Sequence, residues 1–210
     1  MTSITITHYT DPGCPFAWSA EPARRRLQWL YGDQLEWKLR MVGLTERPQD
    51  YTDQGFTPER QSSSFAESWL AEPETGVLLK EDLAQARTPT PAALALAHRL
   101  APTGDGGYRY TCPSYELVAS SDGASLSAPG FQPTLTYEVA IANLAPELIR
   151  REDPESVAEV LEWAGEPLAT AEVAAVCGIE LGEAREQLGR VAAEEHIGSD
   201  GLWALEPVIA

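Results

Sequence analysis

Ile4-Thr5-Ile6-Thr7-His8-Tyr9-Thr10-Asp11-Pro12-Gly13-Cys14-Pro15-Phe16-Ala17-Trp18 is the stretch that decides how this chain is read. Ile4, Ile6 and His8 alternate with Thr5, Thr7 and Tyr9, and a period of two in β-branched residues predicts a strand. Asp11-Pro12-Gly13 breaks it. Pro15 suits the first turn of a helix, where its missing N–H costs no hydrogen bond. Phe16 to Tyr31 reads as that helix, with Glu21 and Arg25 spaced for an i,i+4 ion pair and Gly32-Asp33 as the stop. Leu35, Trp37, Leu39 and Met41 then alternate with Glu36, Lys38 and Arg40, which predicts a second strand. Strand, helix, strand implies a right-handed parallel crossover. Cys14 falls where the first strand hands over to the helix.

Working outward, Thr45 to Gly107 is divided by Pro48, Pro58, Pro73, Pro89 and Pro91, with short helices predicted at Ser64–Ala71, Val77–Ala86 and Ala92–Leu100. Thr103-Gly-Asp-Gly-Gly107 is a loop by composition. Ser114–Ala119 reads as a strand, Asp122-Gly123 as a hairpin turn and Ala124–Ser127 as the returning strand. Pro133 opens a helix whose apolar stripe is Tyr137, Ile141, Leu144 and Leu148. Arg150 to Pro154 marks a boundary. Beyond it, Val157, Val160 and Leu161 share a helix face, Thr170 to Cys177 forms a short helix capped by Thr170 and stopped by Gly178, and Leu181 to Ile197 reads as a third helix. Leu202–Leu205 is a short strand, and three helices followed by a small hairpin outline a winged helix. The expected organisation is an α/β domain over 1–150, with a helical insert at about 45–107, and a small α+β unit over 151–210.

The hydrophobic fraction of 43% is enough for a packed core. The formal net charge of −17 repels phosphate backbones and anionic lipid surfaces, so neither nucleic acid nor membrane is an expected partner. Residues 151–210 contain fourteen Asp and Glu against three Arg and no Lys, the reverse of what a DNA-reading helix carries. That unit therefore reads as a packing module or a protein-contact module. No apolar run approaches a membrane span, and Met1 to His8 lacks the basic and apolar regions of a signal peptide, which predicts a cytoplasmic protein. Cys14, Cys112 and Cys177 are odd in number and widely spaced, so they make neither a disulfide framework nor a zinc site, and no metal is expected.

With Asp11-Pro12-Gly13-Cys14-Pro15-Phe16-Ala17-Trp18, the chain resembles the DsbA family of thioredoxin-fold proteins, in particular the cytosolic branch that includes 2-hydroxychromene-2-carboxylate isomerases and kappa-class glutathione transferases. The likeness continues through Leu35–Leu44, resumes at Thr111-Cys112-Pro113-Ser114-Tyr115, and runs from Gly130-Phe131-Gln132-Pro133 to Leu148. These stretches cover roughly half of the chain. The resemblance implies a thioredoxin-like fold with Cys14 as the catalytic nucleophile and with Pro15, Phe16, Ala17 and Trp18 beside it. It also implies that Pro113 is cis and faces Cys14, which brings Cys112 close. Two departures stand out. Ala17 occupies the place of the family's usual second cysteine, and the stretch between Val42 and Cys112 is shorter than the family's helical insert.

The thiolate is the reactive form of cysteine. A helix N-terminus favours it, whereas Asp11 and the acidic chain oppose it, so a mildly activated thiol is expected, with backbone donors near Phe16 and Ala17 to stabilise it. Because Ala17 cannot resolve a mixed disulfide, release falls to a low-molecular-weight thiol co-substrate or to Cys112. Cys112 and Cys177 also read as core residues, His8 as a plain strand-end histidine, Phe16 and Trp18 as either site walls or core, and Arg24-Arg25-Arg26 as a solvated helix face. The functional expectation is a thiol-disulfide oxidoreductase or thiol-transferase that acts on a protein or small-molecule thiol or disulfide and needs no bound cofactor. Two alternatives stay open: a catalytically degenerate adaptor that binds a protein partner, and a glutathione-dependent isomerase or transferase.

Overall fold

Alternating Ile and Thr side chains put one face of β1 (Ile4–Thr10) into the core: Ile4, Ile6 and His8 are buried and the intervening threonines are half-buried. The computed structural model describes residues 3–11, 14–44, 73–197 and 200–205. After β1 come α1 (Pro15–Trp18), α2 (Glu21–Tyr31) and β2 (Leu35–Met41). Next are α3 (Pro73–Ala86), α4 (Pro91–Leu94), and the two-residue strands β3 (Ala101–Pro102) and β4 (Tyr108–Arg109). The chain continues with β5 (Ser114–Ala119), β6 (Ser125–Ala128) and α5 (Thr134–Leu144). It closes with α6 (Val157–Ala164), β7 (Leu168–Ala169), α7 (Thr170–Cys177), α8 (Leu181–Val191), β8 (Ala193–Ile197) and β9 (Asp200–Ala204). The architecture is mixed α/β, and among these residues no helix is long and apolar enough to cross a membrane. The helix predicted at Ser64–Ala71 lies outside the described residues.

The chain forms two compact units, and they are interleaved in sequence. One comprises Thr5–Trp18 and Trp37–Gln132; the other comprises Met1–Ile4, Ser19–Glu36 and Pro133–Ala210. The division expected at residue 150 is therefore not where the contacts divide. Ser19–Glu36 and the residues from Pro133 to Arg150 belong with the C-terminal elements because α2 packs on α7 and α5.

The first unit is built on a mixed sheet of order β2-β1-β5-β6. β5 and β6 are antiparallel, with Tyr115 opposite Ala128 and Val118 opposite Ser125, and Gly123 makes the turn at φ +76°. This is the hairpin expected from Asp122-Gly123. The Thr103–Gly107 loop is the turn of a second, smaller hairpin, since β3 and β4 pair on either side of it. The helix expected at Ala92–Leu100 shortens to α4 and a 3₁₀ turn at Ala97–Arg99. Thr90 caps α4 by accepting the Ala93 N–H. Tyr9, Val42, Ala86, Ala93, Leu100 and Tyr110 form a core, and Leu44 and Cys112 pack against it. Beside it, Glu116 is 7% exposed yet satisfied: it accepts from the Tyr110 hydroxyl at 2.5 Å, Ser127 Oγ at 2.6 Å and Thr90 Oγ1 at 3.1 Å. Burial and the bond to Glu116 push the Tyr110 phenol well above its ordinary pKa, so it remains a donor.

The expected continuous helix from Phe16 to Tyr31 is two helices. Pro22 has no N–H to give to the Trp18 carbonyl, so the chain turns at Ser19-Ala20 and α2 begins afresh with Pro22 in its first turn. Glu21 pairs with Arg24 and not with Arg25. Arg25 instead reaches Glu172 at 2.9 Å and Glu166 at 2.5 Å. Arg26 is buried, donates to the Val176 carbonyl at 2.5 Å, and faces Asp153 at 2.7 Å and Glu138 at 3.6 Å. The triple arginine is thus not the solvated face expected of it: Arg25 and Arg26 anchor distant elements, and Arg24 pairs within its own helix. Trp29 Nε1 donates to the Glu152 carbonyl, and the Arg151 guanidinium stacks 3.5 Å from the Trp29 ring centroid.

In the same unit, Ser156 caps α6, while Gly165 at φ +65° and Gly178 at φ +67° end α6 and α7 in the left-handed region that favours glycine. Thr170 is the first residue of α7 and not its cap; its Oγ1 accepts the Trp203 indole N–H at 2.9 Å. The third helix stops at Val191, and Ala193–Ile197 is β8, which pairs antiparallel with β9 in a sheet of order β7-β9-β8. Pairing with β9 overrides the helical preference of Ala192-Ala193-Glu194-Glu195. The helix stripe from Pro133 holds at Tyr137, Ile141 and Leu144, but α5 ends before Leu148.

Replacing Glu116 by Ala strands three hydroxyl donors and is expected to lower stability by about 3 kcal/mol, and Glu116→Gln, which keeps an acceptor oxygen, by about 1 kcal/mol, both read from urea denaturation. Arg26→Ala removes the donor to Val176 together with the buried stem of the side chain, and should cost about 2 kcal/mol in the same measurement.

Candidate functional site

Cys14 and Cys112 come together because the strands that carry them are neighbours. Cys14 follows β1 and Cys112 precedes β5, and β1 lies beside β5 in the sheet. Two aromatic pairs pin the strands at this end. His8 stacks on Tyr115 at 4.4 Å between ring centroids, and Tyr9 stacks on Tyr110 at 3.9 Å. Adjacent β1 residues thus clasp the segment around Cys112 from both sides, since their side chains point to opposite faces. The Cys14 side chain is near enough to Cys112 to help raise its pKa. The Cys112–Pro113 peptide is cis, and Pro113 is buried.

The turn at Cys14 is held by its backbone. Cys14 N–H donates to the Asp11 carbonyl at 2.9 Å, and the Cys14 carbonyl accepts the Ala17 N–H at 3.0 Å. The Ala17 amide expected to welcome a thiolate is therefore engaged by the carbonyl of the same cysteine. α1 is a single turn, separate from α2, so few aligned peptide dipoles stand behind Cys14. Cys14 is 4% exposed and Ala17 is buried beside it, whereas Phe16 and Trp18 are 63% and 66% exposed. These two aromatics are not core residues; with Pro15, also exposed, they form an apolar knuckle on the outside of the turn.

Electrostatics around Cys112 favour the neutral thiol. Burial is the main cause of its raised pKa, and the Cys14 and Asp11 side chains and the hydrogen bond to Cys14 push in the same direction; Arg109 opposes them. Asp11, Arg109 and Leu44 belong to the site although sequence reasoning passed over them in part. Asp11 is 6% exposed and its carboxylate accepts the Leu44 N–H at 3.3 Å. Arg109 donates to the Tyr110 carbonyl at 3.0 Å and to the Leu44 carbonyl at 3.5 Å, tying the segment after β2 to the segment before Cys112. Asp11 had a signal, being part of the quoted motif. Arg109 had none, because its role depends on where β2 ends in space.

The other candidates fall elsewhere. Cys177 ends α7, in the other compact unit, and burial pushes its thiol up to about 11. His8 is buried against Tyr115 within β1, two residues before the strand ends. His98 lies exposed in the 3₁₀ turn, and His196 is exposed on β8. Among the described residues, no group of three or more His, Cys, Asp and Glu is arranged to hold a metal ion.

Comparison with protein-family models finds no matching model, and comparison with curated proteins finds no match.

Below the ordinary thiol pKa of about 8.5 Cys112 is a thiol whether the chain is folded or not; because its pKa is raised in the folded state, above that pH the unfolded chain releases the proton while the folded chain keeps it, and stability falls as pH rises. Iodoacetamide should accordingly label Cys112 in the native protein at pH 8.5 at least ~10-fold more slowly than in urea, read by peptide mass mapping.

Proposed function

We propose that this chain is a DsbA-like thiol-disulfide oxidoreductase or thiol-transferase of thioredoxin-like fold, with Cys14 as the nucleophile. One observation carries the reading: the residue of the strand-to-helix motif and the residue before the cis Pro113, distant in sequence, are brought to one end of the sheet by the neighbouring strands β1 and β5. A thioredoxin-like core is supported by the element order β1-α-β2 followed by β5-β6-α5, by the sheet order β2-β1-β5-β6, and by the antiparallel β5-β6 hairpin. The chemistry follows from the sulfur. The Cys14 thiolate attacks a disulfide sulfur of the substrate, one substrate thiol leaves, and a mixed disulfide remains on Cys14. Phe16 and Trp18 give the outside of the turn an apolar surface for the substrate. No bound cofactor takes part, and a low-molecular-weight thiol serves as co-substrate.

For the C-terminal elements we propose a winged-helix-like module that contacts protein. The order α6-β7-α7-α8-β8-β9 and the sheet order β7-β9-β8 support it. Its arginines are engaged by carboxylates: Arg151 with Glu159, Arg185 with Glu194, and Arg190 with Glu186. A phosphate backbone would meet an acidic surface there. Nothing in this reading calls for a membrane, and the cytoplasm, where thiols are kept reduced, suits a cysteine that cycles.

A second reading has one observation in its favour. Cys14 is nearly covered while Phe16 and Trp18 beside it are exposed, as expected of a thioredoxin-like adaptor that has kept a binding face and lost turnover.

Reduction of 2-hydroxyethyl disulfide in the presence of excess glutathione separates the two. Cys14→Ser is expected to lower the turnover by at least ~100-fold, consistent with loss of the attacking sulfur, and Cys177→Ser to leave it unchanged. Turnover that survives in Cys14→Ser overturns the enzymatic reading and leaves the adaptor.

A further inference from the structure

We infer that Cys112 is the resolving thiol for Cys14, so that the two residues form a redox pair that works without a second cysteine in the α1 turn. This role rests on the proposed role of Cys14 as nucleophile and extends it to the release step and to the oxidised form of the protein. The place three residues after Cys14 is held by Ala17, whose side chain can neither attack nor be oxidised. Cys112, before the cis Pro113 that leads into β5, is brought beside Cys14, which follows β1, near enough that Cys14 helps raise its pKa. Both cysteines are free thiols. Their backbones are set by the β1–β5 adjacency and by the His8–Tyr115 and Tyr9–Tyr110 stacks, so that the approach of the sulfurs is built into the sheet.

Once the substrate is joined to Cys14, the Cys112 sulfur attacks the Cys14 sulfur. The bond from Cys14 to the substrate sulfur breaks, its electron pair leaves with the substrate thiolate, and the proton given up by Cys112 ends on that thiolate. The sum of both steps is one disulfide reduced to two thiols, and Cys14 and Cys112 oxidised to one disulfide. Two equivalents of a low-molecular-weight thiol restore the dithiol and leave as their own disulfide. Burial and the neighbouring Cys14 hold Cys112 as a thiol in the resting protein.

The experiment treats the reduced full-length protein with 2-hydroxyethyl disulfide in the absence of other thiols and follows intact mass and the non-reduced peptide map. Wild type is expected to lose two hydrogens, to show a peptide cross-linked through Cys14 and Cys112, and to carry no lasting adduct. Cys112→Ser is expected to hold a mercaptoethanol adduct on Cys14 for at least ~10-fold longer than wild type. A wild-type protein that accumulates the Cys14 adduct with no cross-linked peptide overturns the resolving role while the nucleophile reading stands. A protein in which Cys14 takes no adduct, either in wild type or in Cys112→Ser, overturns both. The cross-link is read in wild type, so the outcome does not depend on how the variant folds.

Discussion

The adjacency of β1 and β5 is the constraint that governs the site. A sheet ladder satisfies backbone donors and acceptors that would be costly to bury unpaired, and in doing so it fixes which loop ends meet. Here the end of β1 delivers Cys14 and the approach to β5 delivers Cys112. Tyr9 and His8, consecutive on β1, take opposite faces and each finds an aromatic partner on the other segment. The approach of Cys14 and Cys112 is therefore a consequence of strand adjacency. It does not rely on the short α1 turn, whose own backbone is occupied in closing on Cys14.

The buried polar groups nearby follow the same logic. Glu116 sits where an apolar side chain would be expected, and its carboxylate gathers three hydroxyls, from the cap of α4, from β6 and from the segment before Cys112. A charge in such a place survives only when its hydrogen bonds are made. One of its donors, Tyr110, is also the stacking partner of Tyr9, so the network holds the segment from Tyr110 to Pro113 from within the core. Cys112, packed against that core, has its thiolate disfavoured by desolvation.

In the other unit the scarce cations act as internal fasteners. Arg25 joins α2 to Glu166 and to Glu172 of α7, and Arg26 joins it to α7 through the Val176 carbonyl. Helix formation alone would leave these guanidinium groups in water; packing turned two of three consecutive arginines inward. Glu172 also accepts the Ala169 N–H at the start of α7, so a single carboxylate both caps a helix and anchors its neighbour.

Much of the element order is legible from residue order because it depends on short-range patterns. The period of two in β1, the Asp122-Gly123 turn, the stripe of α5 and the glycine stops of α6 and α7 each involve side chains within a few residues of one another. Local patterns mislead where a distant partner decides. Ala193–Ile197 reads as helix but becomes β8 because β9 offers it a ladder, and Arg26 reads as surface but is buried by residues far along the chain. The break at Ser19-Ala20 is within reach of sequence, since Pro22 cannot donate, yet the amphipathic run conceals it. At the site, residue order alone establishes that Cys14 stands at a strand-to-helix junction and that Ala17 cannot resolve it. Packing was needed to show that Cys112 meets Cys14 and that Phe16 and Trp18 face outward. Hydrophobic periodicity inclines a segment toward helix or strand; which segment it lies against, and at β8 which form it takes, is set by burial and pairing across the chain.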